Sequence, residues 1–348
     1  MGKEQRTEIS ELGEFGLIKH LTQKFGILHS SSKLGIGDDA AVIQYAEGKQ
    51  TILTTDLLIE GIHFDLTFFP LKHLGYKAVV VNLSDVYAMN AIPKQITVSL
   101  AISNRFSVEA LEELYEGIRF ACKKYQVDLV GGDTTSSTRG LILSVTAVGE
   151  VHENNCVKRS GAGENDILCV SGDLGGSYLG LQLLEREKRI FLESPGVQPN
   201  LEGQAYIVGR HLKPEARRDV VEMFSALGIK PTSMIDISDG LSSEILHLCQ
   251  SSSLGCRLYE EKIPIAEESY QMALRFNLDA TTCALNGGED YELLFTIAQH
   301  DHEKLMNHPD ITMIGHMTAK ETGAVLISKA GNPYPLVAQG WNAFRGKP

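Results

Sequence analysis

Short β-type runs that end on a carboxylate set among glycine or hydroxyl residues restrict this chain more than any other feature. Six such acidic clusters recur along it: Gly37-Asp38-Asp39, Thr54-Thr55-Asp56, Asn82-Leu83-Ser84-Asp85, Gly131-Gly132-Asp133-Thr134, Asp236-Ile237-Ser238-Asp239-Gly240 and Gly287-Gly288-Glu289-Asp290. Four of them follow apolar or β-branched runs, so the fold has to carry acids to the ends of its elements. Carboxylates and hydroxyls are the oxygen ligands that Mg²⁺ prefers, and Mg²⁺ is usually shared between a few carboxylates and the phosphates of a substrate. Together the clusters point to phosphate chemistry run by metal ions. Read singly, each is also a turn, because Asp and Gly are common turn residues.

At 348 residues the chain is longer than one ordinary core holds and reads as two domains. Its formal charge of −12 works against binding to a nucleic acid backbone, where Lys and Arg must replace counterions. An anionic substrate remains compatible with that charge, since metal ions held by the same carboxylates would carry its phosphates. The six cysteines are scattered, without a C-x-x-C pair or a histidine in zinc spacing, and read as buried or incidental thiols. Met1 to Glu14 is too polar for a secretory h-region, and Arg6 stands where a myristoylation signal needs Ser or Thr. No apolar run approaches the roughly 18 residues of a membrane span. A cytoplasmic protein with no membrane and no nucleic acid partner is expected.

Apolar residues at Leu12, Phe15, Ile18 and Leu21 predict a helix over Ile9 to Phe25, with Gly26 as its stop. The period then changes to short β-type runs at Ala41 to Ile43, Thr51 to Thr54, Ile96 to Leu100, Val127 to Val130 and Leu141 to Val148. Two helices are predicted between them. Leu74 to Ala91 carries Asn82 and Asp85 three apart, on neighbouring positions of one face. Ser107 to Tyr125 starts at an N-cap and buries Leu111, Leu114, Ile118 and Ala121. The polar segment Val151 to Gly163 marks a boundary, giving domains 1–152 and 153–348. Beyond it come a strand at Asp166 to Ser171, a turn at Gly172 to Gly176, and a helix from Ser177 to Glu187. A loop-like stretch from Arg186 to Gly203 follows, then helices at Pro214 to Leu227 and Leu241 to Gln250. The last third returns to strands at Tyr291 to Ile297 and Ile311 to Ile314. Strands and helices mixed without strict alternation predict a two-domain α+β chain.

On this layout Asp56 and Asp133 close strands, and the paired glycines Gly131-Gly132 would let a ligand approach the backbone. Asp236, Ser238 and Asp239 precede the Leu241 helix, whose free N–H groups would favour anions. Other phosphate-handling and nucleophilic signatures are missing: there is no G-x-x-x-x-G-K-[ST], no H-R-D with a later D-F-G, no G-x-S-x-G and no H-E-x-x-H. Gly35-Ile36-Gly37 neither follows a strand nor opens a helix, which weakens a dinucleotide-binding reading.

The order of Gly35-Ile36-Gly37-Asp38-Asp39-Ala40-Ala41, Thr54-Thr55-Asp56, Gly61-Ile62-His63-Phe64, Val81-Asn82-Leu83-Ser84-Asp85, Gly131-Gly132-Asp133-Thr134, Arg159-Ser160-Gly161, Ile237-Ser238-Asp239-Gly240-Leu241 and Gly287-Gly288-Glu289-Asp290-Tyr291-Glu292-Leu293 resembles that of the bacterial thiamine-monophosphate kinases. These belong to an ATP-using superfamily with aminoimidazole ribonucleotide synthetase, selenophosphate synthetase and a hydrogenase-maturation protein. The resemblance spans almost the whole chain. It implies a strand-rich N-terminal domain that binds ATP and metal and pairs across a homodimer, with a C-terminal α/β domain of the aminoimidazole ribonucleotide synthetase type closing over the site. It also implies ATP-dependent phosphorylation of thiamine monophosphate to thiamine diphosphate.

Carried over by motif, the resemblance puts metal ligands at Asp39, Thr54, Thr55, Asp56, Asp85, Asp133, Asp236 and Asp239. Nucleotide contacts fall at Tyr115, Gly132, Asp133, Arg159 and Ser238, and substrate contacts at His63, Glu289 and Trp341. Tyr115 lies beside the core stripe of its helix, so packing competes with nucleotide binding there. Trp341, the only tryptophan, is either a core aromatic or a face for the cationic thiazolium. Direct in-line transfer from ATP, assisted by several Mg²⁺ ions and without a single catalytic base, is the mechanism expected. A sister synthetase acting on another acceptor and a non-catalytic nucleotide- or metal-binding module are the alternatives. The chain lacks a reactive cysteine at either terminus of the kind two of the sister enzymes use.

Overall fold

The computed structural model describes residues 7, 9–34 and 42–340. The chain separates into two compact units, Met1–Val86 with Ala91–Asn154, and Tyr87–Asn90 with Asn155–Pro348. Among the described residues no helix is long and apolar enough to cross a membrane. All six cysteines are free.

The N-terminal unit contains α1 (Ile9–Thr22), a small ladder of β1 (Ser32–Leu34) and β2 (Val42–Ile43), then β3 (Lys49–Ile59), α2 (Leu71–Ala88), β4 (Ile92–Ile102), α3 (Val108–Tyr125), β5 (Asp128–Ser136) and β6 (Ile142–His152). Its main sheet has the order β3-β6-β4-β5, antiparallel except for the β4–β5 pair. One face is a core row of Ile96, Val98, Leu100, Leu143, Val145 and Ala147, all buried. The other face leaves Leu53 69% and Leu57 49% exposed on the edge strand. Ser107 caps α3 as expected, its Oγ accepting from Ala110 N, and the predicted stripe of Leu111, Leu114, Ile118 and Ala121 is buried. Two glycines set how closely α2 and α3 approach. A Cβ on Gly75 would collide with the carbonyl oxygen of Leu114, and one on Gly117 with that of Lys72.

Asp128, at the start of β5, is buried and serves the fold. It accepts hydrogen bonds from Leu28 N (2.7 Å), His29 N (3.0 Å) and Ser32 Oγ (2.6 Å). Gln95 beside it donates to the hydroxyls of Ser31 and Ser32 and accepts from Tyr45. A carboxylate met by three donors offsets its own desolvation and fixes the chain that passes it.

The C-terminal unit runs β7 (Ile167–Ser171), α4 (Gly176–Glu193), α5 (Ala205–Leu212), α6 (Arg218–Leu227), β8 (Ser233–Asp236), α7 (Leu241–Ser252), β9 (Gly255–Tyr259), α8 (Glu267–Arg275), α9 (Ala280–Asn286), β10 (Leu293–Ile297), α10 (His302–Leu305), β11 (Ile311–Thr318), β12 (Ala324–Ile327) and β13 (Pro333–Pro335). Its sheet has the order β13-β12-β9-β11-β7-β10-β8, with only β12–β9 parallel. α7 packs on it through Leu241, Ile245 and Leu248, while Leu179, Leu183, Ile207, Met272 and Cys283 form a second core among α4, α5, α8 and α9. The two-domain α+β class is therefore observed.

α4 continues to Glu193, through residues expected to form a loop. Tertiary contacts hold that end: Glu187 is buried and accepts from Asn200 N (2.8 Å), and Arg186 lies over the Phe276 ring. Weak periodicity in sequence is overridden by such contacts.

Candidate active site

Two acidic groups form, each within its own unit. In the N-terminal unit the alternation of β3 separates the Thr54-Thr55-Asp56 triplet. Thr54 and Asp56 pair with Ala147 and Val145 on the buried face, whereas Thr55 faces the other way and meets Thr146 Oγ1 at 3.0 Å. Thr54 Oγ1 donates to Asp85 Oδ2 at 2.6 Å, joining the strand to α2. Asp56 and Asp85 are close enough to repel. Burial first, then the Asp85 carboxylate, push Asp56 up to about 6. Asn82, expected on the same face of α2, donates to Ala78 O of its own helix and is buried.

Asp133 is placed differently. β5 pairs Gly132 with Val98 and Asp133 with Ser99, which sets Asp133 in the row of Ser99, Ser144 and Leu57, on the opposite face from Asp56. Gly132 has no Cβ for a reason internal to the sheet, since a side chain there would collide with the Val98 carbonyl; only Gly131 has room. Tyr115 is buried, edge-on to Phe25 at 6.3 Å, and burial pushes its hydroxyl up to about 12. Packing is thus what the structure shows of Tyr115. His63 follows β3 in a turn opened by Gly61, and its Nδ1 accepts from Ile59 N at 3.0 Å, leaving Nε2 to carry the proton of the neutral ring.

In the C-terminal unit antiparallel pairing brings two of the six clusters together. Asp236 ends β8 opposite Leu293 of β10, and the ladder continues irregularly beyond the strands: Ile237 N to Glu292 O (2.8 Å), Tyr291 N to Ile237 O (2.9 Å) and Glu289 N to Ser238 O (2.7 Å). Gly288 and Gly340 allow this close approach, because a Cβ on either would strike the carbonyl oxygen of Ser238 or Asp239 respectively. Glu289 and Tyr291 take left-handed backbone angles, φ 56° and 53°. Burial raises the Asp239 carboxyl from its ordinary value against the pull of His247 and Arg159, and Glu289 adds to the rise. Arg159, Asp239 and Glu289 therefore share one electrostatic neighbourhood.

The loop just ahead of α7 is bonded by a carboxylate of that helix. Glu244, in the first turn of α7, reaches back to accept from Ser238 N (3.2 Å), Ser238 Oγ (3.3 Å) and Asp239 N (2.8 Å). The loop N–H groups of Ser238 and Asp239 are thus met by the protein's own carboxylate, while Ser243 N and Glu244 N in the first turn donate to Gly240 O. The only sequence signal for it is an acid early in the helix that follows an acidic loop.

Asp290, grouped with Glu289 in sequence, has a different task. It is fully buried, accepts from Gly175 N (2.8 Å) and Ser177 N (3.3 Å) at the start of α4, and is pushed up to about 7 by that burial. Glu292 pairs with Arg210 (2.9 Å) and Arg217 and accepts from Ser171 Oγ (2.6 Å). Both acids brace the scaffold. Asp39 and Trp341 lie outside the described residues. Among the described residues, no three His, Cys, Asp or Glu side chains gather into a metal-holding group.

Comparison with known proteins fits this layout. Residues 37–151 match the family described as AIR synthase related protein, N-terminal domain, and residues 163–327 match the AIR synthase related protein C-terminal domain. A thiamine-monophosphate kinase of Bacillus subtilis (strain 168) is 34% identical over 96% of this chain and 100% of its own length. That of Aquifex aeolicus (strain VF5) is 36% identical over 97% and 99%. A solved structure described as AaThiL complexed with AMPPCP and TMP has a TM-score of 0.74 at 34% identity, covering 99% of this chain and 100% of that one. Both domains in order, with identity above 30% across the full length, establish that this chain belongs to the thiamine-monophosphate kinase family.

Proposed function

We propose that the protein transfers the γ-phosphoryl group of ATP to thiamine monophosphate, forming thiamine diphosphate and ADP. The observation that carries this reading is the chain-long similarity, at 34% identity, to a solved structure described as holding AMPPCP and TMP together. AMPPCP resembles ATP but has an uncleavable β–γ bridge, so that pair stands for the two reactants.

Mg²⁺ fits the N-terminal acids. Asp56 and Asp85 are hard oxygen donors held close enough to repel, with the Thr54 hydroxyl beside them, and a divalent cation relieves such crowding. Two protein carboxylates also suit an ion that completes its shell with water and phosphate oxygens. Asp56, Asp85 and Thr54 would hold metal on one face of the sheet and Thr55 and Asp133 on the other, with Asp39 as a further ligand, and Asp236 and Asp239 in the C-terminal unit. When bound, Mg²⁺ neutralises the phosphates of two mutually repelling anions. The chain's own part is to bind and orient. Arg159, Ser238, Tyr115 and Gly132 are assigned to the nucleotide, and His63, Glu289 and Trp341 to thiamine monophosphate. A phosphate acceptor is already ionised near neutral pH, so direct in-line transfer proceeds without a dedicated base.

A homodimer completes the reading. Leu53 and Leu57 project from the open face of the N-terminal sheet, where a second copy would cover them.

An acceptor panel tests the assignment. With ATP and Mg²⁺, ADP release should require thiamine monophosphate and should be at background with thiamine, aminoimidazole-type substrates or selenide. ADP release driven by one of the other acceptors would point to a sister synthetase, and ATP binding with no turnover would point to a binding module.

A further inference from the structure

α4 and α5 meet with almost no space between them, and two glycines make that approach possible. A Cβ on Gly180 would collide with Ile207 O and stand 3.0 Å from the Cβ of His211; one on Gly176 would stand 3.1 Å from Cγ of Arg210. The consecutive residues Arg210 and His211 are thereby pressed toward the strand-entry segment Glu289–Glu292. Arg210 takes Glu292 at 2.9 Å. His211 takes Glu289, with Nδ1 3.3 Å from Oε2.

The two members of this second pair differ in exposure. The His211 side chain is 3% exposed and the Glu289 side chain 33%, so the ring is locked inside while the Glu289 side chain is partly exposed. Ser177 Oγ lies 3.4 Å from the same Nδ1, and Ser177 is itself tied through its N–H to Asp290. Glu289 also holds a left-handed backbone angle that L residues rarely adopt, so its surroundings have to fix it. Arg210 and Arg217 already neutralise Glu292, and Asp290 is satisfied at the start of α4. Glu289 is the acid of this segment that meets a buried histidine and still keeps part of its side chain exposed.

We propose that His211 is a positioning residue: its Nδ1–H holds the Glu289 carboxylate in one rotamer, pre-set to receive the cationic part of thiamine monophosphate. This rests on the reading of Glu289 as a substrate contact. Charge-assisted hydrogen bonds of this kind orient the acceptor as well as binding it, and a carboxylate ordered beforehand lowers what substrate binding has to order.

Calorimetric binding of thiamine monophosphate to the full chain without ATP, together with steady-state kinetics, tests it. His211→Leu should weaken that binding and raise KM for thiamine monophosphate about tenfold, while KM for ATP stays within about twofold. His211→Asn, whose amide nitrogen stands near Nδ1, should recover most of the loss; His211→Gln, which reaches the Nε2 position, should not. In a Glu289→Ala background His211→Leu should add less than about twofold. Unchanged affinity in His211→Leu would overturn the proposal, as would a full loss that persists in Glu289→Ala with no difference between Asn and Gln. If His211→Leu fails to fold, the Asn and Gln pair decides alone, and equal affinities overturn the proposal. Wild-type affinity in Glu289→Ala alone would remove the substrate contact itself, and it is seen without touching His211.

Discussion

Burial, and then the Asp85 carboxylate, hold Asp56 up to about 6 from an ordinary 3.8. The native state therefore binds more protons than the unfolded state between those values, so stability falls as pH rises through that window and the penalty is complete above it. Asp56→Asn should make the metal-free protein more stable at pH 8 by up to about 3 kcal/mol, with no gain at pH 3.5. Denaturant unfolding in EDTA at the two pH values reads this directly; equal stabilities at pH 8 would show that the crowding is relieved some other way. The same variant should lose turnover. Asp133→Asn should cut kcat by about a hundredfold or more while leaving the unfolding midpoint unchanged, the pattern expected of a charge that acts on transferring phosphates. Near-normal activity would remove Asp133 from the site. In sequence Asp290 looked like Glu289, an acid beside paired glycines. Only the burial of its partners distinguishes the acid that braces α4 from the partly exposed one, and burial is set by residues more than a hundred positions away.

Elements are placed by backbone contacts as much as by side chains. Gly75 and Gly117 let α2 and α3 touch backbone to backbone, so Gly117→Ala must push the helices apart. We expect a loss of about 3 kcal/mol, seen as a lower denaturant midpoint with an unchanged slope; an unchanged midpoint would mean that the crossing is loose. α3 was legible from Ser107 to Tyr125 because its cap and its stripe are local signals. The end of α4 was not, because Glu187 and Arg186 are held by Asn200 and Phe276 rather than by periodicity. α5, the short helix that delivers Arg210 and His211, carried no sequence signal that we read. Glu244 was hidden for a related reason: loop N–H groups that are free and ones already met by a carboxylate of the next helix look alike until the side chain is placed.

At the scale of the whole molecule, motif order along the chain was the most informative part of the sequence, since it ran in register with the two matched domains. How each unit uses its acids was not legible in that order. Pairing of β8 with β10 joins the Asp236 and Glu289 clusters, whereas strand alternation separates Asp133 from Asp56. The exposed Leu53 and Leu57 belong to this scale as well. Replacing both with Glu should shift the protein to a monomer in sedimentation, and an unchanged sedimentation coefficient would place any interface elsewhere. The most direct test of phosphoryl transfer to thiamine monophosphate follows the label from γ-³²P-ATP. The account predicts label in the terminal phosphate of thiamine diphosphate, one for each ADP released; label in inorganic phosphate or in any other acceptor, with no thiamine diphosphate formed, would contradict it.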